Sequence, residues 1–111
     1  MLRVATILLV DDIPPVRTLF RRLLEGQGFE VVEAEDAFQA LELYSAHSVD
    51  LLITDLDMPG MSGEELVRRL SPPRFLVVSA DPSRLPSDWP RLVKPVAVRE
   101  FLDAVRRTGL T

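Results

Sequence analysis

Short apolar runs and stretches of helical spacing alternate along the chain. Val4 to Val10 is apolar but for Thr6 and predicts a strand. Val16, Leu19, Phe20, Leu23 and Leu24 then recur at the i, i+3, i+4, i+7, i+8 spacing of an amphipathic helix. Pro14 and Pro15 suit its first turn, where a missing N–H costs little, and Gly26 and Gly28 mark its end. Glu30 to Ala34 predicts a second strand. Asp36 and Gln39 have the spacing of a capping box and open a second helix to Ala46. Val49 to Thr54 is a nearly all-apolar third strand that runs into Asp55. Ser62 and Glu65 repeat the capping-box spacing before a short helix to Leu70. Arg74 to Ser79 ("RFLVVS") predicts a fourth strand, and Leu92 and Val93 the core of a short fifth. Val98, Phe101, Leu102 and Val105 share one face of a last helix.

Strands that alternate with helices imply βαβ units and a parallel sheet. Strands that are apolar on both faces imply helices above and below. Right-handed crossovers leave few arrangements, and five strands in 111 residues fit an α/β, doubly wound parallel sheet of flavodoxin-like order 2-1-3-4-5. One stretch breaks the rhythm. "DPSRLPSDWP", residues 81–90, carries three prolines and little apolar periodicity. The helix that should join the fourth and fifth strands, the fourth in order, is expected to be shortened or missing.

Composition narrows the chemistry. The length fits a single domain over 1–111, and 47% hydrophobic content supports one core. A net charge of −4 argues against a nucleic-acid-binding surface. Absence of cysteine excludes disulfides and thiolate catalysis, and a single histidine excludes a multi-histidine metal site. The first apolar run is too short to span a membrane and lacks a signal-peptide layout, so a soluble, cytoplasmic protein is expected. Twelve of the 13 basic residues are arginine, which singles out the one lysine, Lys94.

The doubly wound order brings the carboxyl ends of the first and third strands together, where such folds bind ligands. Asp11 and Asp12 stand at one end and Asp55 at the other. An aspartate at a strand end commonly caps a helix or serves a turn, but three converging carboxylates need a cation between them or raised pKa values. An all-oxygen donor set suits Mg²⁺, which keeps waters and favours a phosphate as a further ligand. Ser79 and Lys94 end the fourth and fifth strands on the same edge. A hydroxyl, an ammonium and a metal would hold a phosphoryl group, with a carboxylate as nucleophile.

"ILLVDD", "LLITDLDMPGMSG", "FLVVSA" and "LVKP", in that order across nearly the whole chain, resemble the receiver domain of two-component response regulators. The resemblance implies that Asp55 is the phosphoacceptor. It implies that Asp12 binds Mg²⁺ directly, Asp11 holds it through water, and the backbone carbonyl of Asp57 adds a ligand. Ser79 would be the switch hydroxyl that follows the phosphoryl group, with Ala80 leaving room for it. Lys94 would contact that group, and the Lys94–Pro95 peptide would be cis. The implied partner is a histidine kinase or histidine phosphotransfer protein, and the expected state a monomer or weak dimer. Two features depart from the family pattern. Arg91 stands three residues before the lysine, where relatives usually carry Tyr or Phe coupled to the switch hydroxyl, and the Ser79–Lys94 loop is several residues shorter than usual.

Two other function classes fit parts of the sequence. "LLITDLDM" also resembles the D-x-D motif of haloacid-dehalogenase-type phosphohydrolases, in which Asp57 would be a general acid, although this chain is short for that family and its Asp pair precedes the nucleophile. A receiver-like module that works without phosphorylation is the other. Asp57 and Asp81 stand near the site as either water-steering groups or solvated loop residues. Gly60 and Gly63 lack a G-x-G-x-x-G context and read as a turn. Arg17, Arg21 and Arg22 lie on the polar side of the first helix, as a solvated face or as a dock for an acidic partner. Arg106 and Arg107 complement the dipole of the last helix. His47 reads as a helix-end residue. Trp89 would anchor the 81–90 loop or meet a partner.

Overall fold

A computed structural model describes residues 3–110. Five parallel strands, β1 (Thr6–Val10), β2 (Glu30–Ala34), β3 (Leu51–Asp55), β4 (Phe75–Ser79) and β5 (Arg91–Val93), lie in the order β2-β1-β3-β4-β5. Four helices cover them: α1 (Pro14–Gly26), α2 (Ala37–Ala46), α3 (Gly63–Leu70) and α4 (Val98–Arg107). This is the expected doubly wound sheet, and no helix forms between β4 and β5.

The period-two alternation of strand side chains divides the core in two. Ile7, Leu9, Leu51, Ile53, Leu76, Val78 and Leu92 face α1 and α4, where the stacked rings of Phe20 and Phe101 lie 4.3 Å apart. Leu8, Val10, Leu52 and Val77 face α2 and α3 with Ala37, Ala40, Leu66 and Val67. Leu85 joins this second cluster from the 81–90 loop, and Trp89 packs against it. Those two side chains cover the sheet where a helix would otherwise lie. Trp89 meets Phe75 edge-on at 5.0 Å, and the Arg68 guanidinium sits 5.0 Å from its ring. Trp89 is thus the anchor of the loop.

A crossover without a helix must still satisfy its own carbonyls. Arg91 does so from β5. Its Nε donates to Trp89 O at 3.0 Å, its Nη1 to Pro82 O at 3.0 Å, and its Nη2 to Pro86 O. The planar guanidinium offers several donors in a fixed fork, which suits this task.

The helix starts follow the sequence signals. Asp36 accepts from Gln39 N at 2.7 Å and Ser62 from Glu65 N at 3.1 Å. The returning arm of the Asp36 box reaches one residue further back, with Gln39 Oε1 accepting from Glu35 N at 2.8 Å. Glu65 turns outward to Arg69 at 2.6 Å. Both prolines occupy the first turn of α1. Two strands begin later than their apolar runs. β1 starts at Thr6, where pairing with Glu30 begins, and β3 starts at Leu51 opposite Ile7. Arg17 and Arg21 are bound to Glu33 of β2 at 3.1 and 3.0 Å, so they brace the α1–β2 packing rather than await a partner. Exposed His47 ends α2, its Nδ1 3.0 Å from Leu43 O.

Gly63 holds α3 against the end of β3. A Cβ there would lie 2.2 Å from the backbone oxygen of Asp55, and Gly63 N donates to Leu56 O at 2.9 Å. Gly63→Ala should therefore destabilise the fold by about 2 kcal/mol or more, as overpacking against backbone does. Gly26→Ala, where nothing lies within 4 Å, should be near neutral. Urea unfolding of the two variants checks the contrast.

Candidate functional site

The site is built by three strand ends. Asp11 and Asp12 follow β1, Asp55 ends β3, and each offers a carboxylate oxygen such that all three lie within 4.8 Å of one another. Asp11 is buried, at 2% exposure. Its Oδ1 accepts from Ile13 N at 2.8 Å, and its carbonyl accepts from Arg17 Nη1 at 2.6 Å. Asp12 is the more open of the pair. Asp55 is 5% exposed, and its Oδ1 lies 3.2 Å from Lys94 Nζ. Lys94 is placed by β5, whose ladder with β4 ends with Lys94 N donating to Ser79 O at 2.9 Å. The Lys94–Pro95 peptide is cis.

Electrostatics follow from this burial. Desolvation pushes the Asp55 carboxyl up to about 6, against the pull of the Lys94 ammonium, and Asp11 and Asp12 push the same way as burial. Asp11 is also raised, chiefly by burial and against its hydrogen bond from Ile13. One ammonium thus faces three carboxylates, an imbalance that a hard divalent cation relieves.

Ser79 and Asp57 lie across the site. Ser79 Oγ donates to Asp57 Oδ2 at 3.1 Å and accepts from Asp81 N at 3.0 Å. Among the described residues its hydroxyl makes no hydrogen bond to Asp55. The other oxygen of Asp57 accepts from Arg84 Nη2 at 2.8 Å. Asp81 is exposed and closes a turn, Oδ1 accepting from Ser83 N at 3.1 Å; the Ser83 hydroxyl and then its backbone N–H hold the Asp81 carboxyl below the usual range. Sequence reasoning placed Asp11, Asp12, Asp55, Ser79 and Lys94 on one edge, and the structure brings them there. It missed Arg84, which is one arginine in a proline-rich loop, 27 residues from its partner, with no periodicity to mark it.

A doubly wound sheet with acids at its β1–β3 switch point, and a hydroxyl and an ammonium on the next two strands, is an α/β domain with its polar groups gathered where such folds bind ligands. The sequence model described as "Response regulator receiver domain" matches residues 7–81, from β1 to just past β4. The chain belongs to the response regulator receiver domain family of two-component systems. It is 49% identical over 65 residues to the sensor protein EvgS of Escherichia coli K12, a match covering 59% of this chain and 5% of EvgS. The chain therefore spans a small fraction of that relative's length. Its fold is similar to that of chemotaxis protein CheY4 of Vibrio cholerae, with TM-score 0.88 and 26% identity over 96% of this chain and 99% of CheY4. It is also similar to the response regulator TrrA of Thermotoga maritima in complex with Mg(2+)-BeF, with TM-score 0.81 and 30% identity over 94% and 98% of the two chains. The family match ends where the 81–90 loop begins.

The raised Asp55 pKa has a sign that can be tested in metal-free protein. Its folded value, about 6, lies above the ordinary 3.8, so the native state holds the proton more tightly than the unfolded chain. Stability should fall as pH rises from about 4 to about 6, as Asp55 is forced to ionise in place. Asp55→Asn should remove this cost, gaining on the order of 2–3 kcal/mol at neutral pH and little below about pH 4. Denaturation of both proteins across this range with a chelator present checks it.

Proposed function

We propose that this chain is a phosphoacceptor receiver that takes a phosphoryl group on Asp55 from a histidine kinase or histidine phosphotransfer protein and signals through protein contacts. The observation that carries this reading is a buried carboxylate at the β1–β3 switch point, set between two further carboxylates and a lysine. In the transfer, the phosphorus–nitrogen bond of a phosphohistidine breaks as an Asp55 oxygen bonds to phosphorus, and the imidazole departs. Lys94 meets the charge on the phosphoryl oxygens, and Ser79 supplies a hydroxyl proton to them. The reaction ends on the protein itself, with hydrolysis by water as the reverse of activation, so the chain is no turnover enzyme.

The donor set fits Mg²⁺. The carboxylates are all-oxygen, mutually close and under-neutralised by Lys94 alone. Asp11, Asp12, Asp55 and the backbone carbonyl of Asp57 would hold the ion, which supplies positive charge to the phosphoryl oxygens.

The partner would approach over α1. Ile13, Val16 and Leu19 line a groove of about 530 Å³ with Ala80, Lys94, Pro95 and Val96, beside the phosphoacceptor. A histidine-bearing helix with an apolar flank fits this groove, whereas Arg17 and Arg21 are already engaged by Glu33. Among the described residues no helix is long and apolar enough to cross a membrane, and transfer from a kinase domain places the chain's work in the cytoplasm. We assign residues 1–111 to a single receiver domain acting as a monomer or weak dimer, with no nucleic-acid surface of its own. The phosphohydrolase reading needs Asp57 as a free proton donor, and both of its oxygens instead accept hydrogen bonds.

Acetyl phosphate should label the protein with one phosphoryl group only when Mg²⁺ is present. Asp55→Asn should abolish labelling, and Lys94→Ala should slow it by about 10²-fold or more, as loss of an oxyanion partner does. Intact-mass spectrometry reads the result, and undiminished labelling of Asp55→Asn would refute the assignment.

A further inference from the structure

The missing helix and the missing aromatic leave open which group in this chain senses the phosphoryl group. Two arginines bear on the crossover, in opposite situations. Arg91, at the position of the usual aromatic, spends its guanidinium on the carbonyls of Pro82, Pro86 and Trp89 and is half-buried. It is a fixture of the loop. Arg84 is exposed and leaves its own loop to reach the site, where its Nη2 donates to Asp57 Oδ1 at 2.8 Å.

Asp57 in turn connects Arg84 to the switch hydroxyl. Its Oδ2 takes the Ser79 proton at 3.1 Å, while Ser79 Oγ accepts the N–H of Asp81 at 3.0 Å. The contacts form one path from the β3 end, through the β4 end, into the 81–90 loop and back through Arg84. A serine hydroxyl has a single proton to give. That proton can go to Asp57 or to phosphoryl oxygens on Asp55, but not to both.

We propose that Arg84 is a positioning residue and that the Arg84–Asp57–Ser79 path is a latch holding the 81–90 loop in its resting form. The latch rests on the receiver reading of Asp55. When Ser79 turns its proton to the phosphoryl group, Asp57 loses one of its two donors. The new anion then competes with Asp57 for the Arg84 guanidinium, which one exposed ion pair holds only weakly. Arg84 leaves Asp57, and residues 81–86 loosen while Arg91 and Trp89 keep the far end in place. The state of phosphorylation is then displayed by the loop that replaces the helix.

The loop's own amides supply the readout, because Leu85 N donates to Pro82 O and Trp89 N to Pro86 O at 3.0 and 3.1 Å. Hydrogen–deuterium exchange would be followed over the peptide 80–90 in the full chain, with and without Mg²⁺ and beryllofluoride as the phosphoryl mimic. Wild type should exchange at least fivefold faster around Leu85 with the mimic bound. Arg84→Gln should exchange at the fast rate without it and respond no further, while acetyl phosphate still labels its Asp55. Arg84→Lys should restore part of the slow state. If wild type is labelled but its loop does not respond, or if Arg84→Gln responds as wild type does, the latch is refuted and the receiver reading stands. If wild type is not labelled on Asp55 at all, both fall. The exposed position of Arg84 keeps the substitutions from disturbing the core.

Discussion

The structure turns on an unbalanced charge at a dry edge. Asp55 and Asp11 are buried at the carboxyl ends of two neighbouring strands, with Asp12 beside them and Lys94 opposite. Burying a carboxylate costs several kcal/mol unless it is paired or protonated. The sheet can carry that cost because both of its faces are covered by apolar packing that does not involve the acids. The same cost suits the edge to a cation, because an ion that neutralises the cluster is bound with favourable electrostatics.

Holding that edge in place requires close approach of elements that would normally be kept apart by side chains. Gly63 lets α3 begin against the Asp55 carbonyl, and Thr54, fully buried, donates its hydroxyl to the same oxygen at 2.9 Å. On the other side the Asp11 carbonyl is taken by Arg17, whose Nε also binds Glu33. The positions of Asp11 and Asp55 are therefore set largely through backbone, while one Asp11 oxygen also accepts from Ile13 N and one Asp55 oxygen pairs with Lys94. Asp36 differs in that its carboxylate serves a helix cap.

Much of this was legible in the sequence because burial on both faces writes itself into composition. Strands such as Ile7 to Val10 and Leu51 to Ile53 are apolar at every position, which specifies a covered parallel sheet and hence the switch point where Asp11, Asp12 and Asp55 meet. The caps at Asp36 and Ser62 were legible because a side-chain acceptor must stand three residues before the N–H it satisfies. The start of β1 was not, because a strand extends only as far as a neighbour offers a ladder, and Glu30 pairs first with Thr6. Trp89 was ambiguous because an aromatic among prolines has no period, and only the packing of Phe75 and Arg68 decides its role. Arg84 was invisible for a related reason. A long flexible side chain on an irregular loop reaches a partner that no local spacing predicts.

The place of Arg91 gains its meaning from magnitudes. Three charge-assisted hydrogen bonds to backbone carbonyls, each worth about 1.5–3 kcal/mol, would have to break together for that side chain to swing inward. A single exposed ion pair such as Arg84–Asp57 is worth about 0–1 kcal/mol. A switch must sit close to balance, since an event at the site can shift an equilibrium only by its differential interaction with the two states. An element secured by three strong bonds stays put under that shift, and one secured by a weak pair does not. Arg91 is therefore scaffold for the 81–90 loop, and Arg84, tied by one exposed ion pair, is the more weakly held of the two arginines.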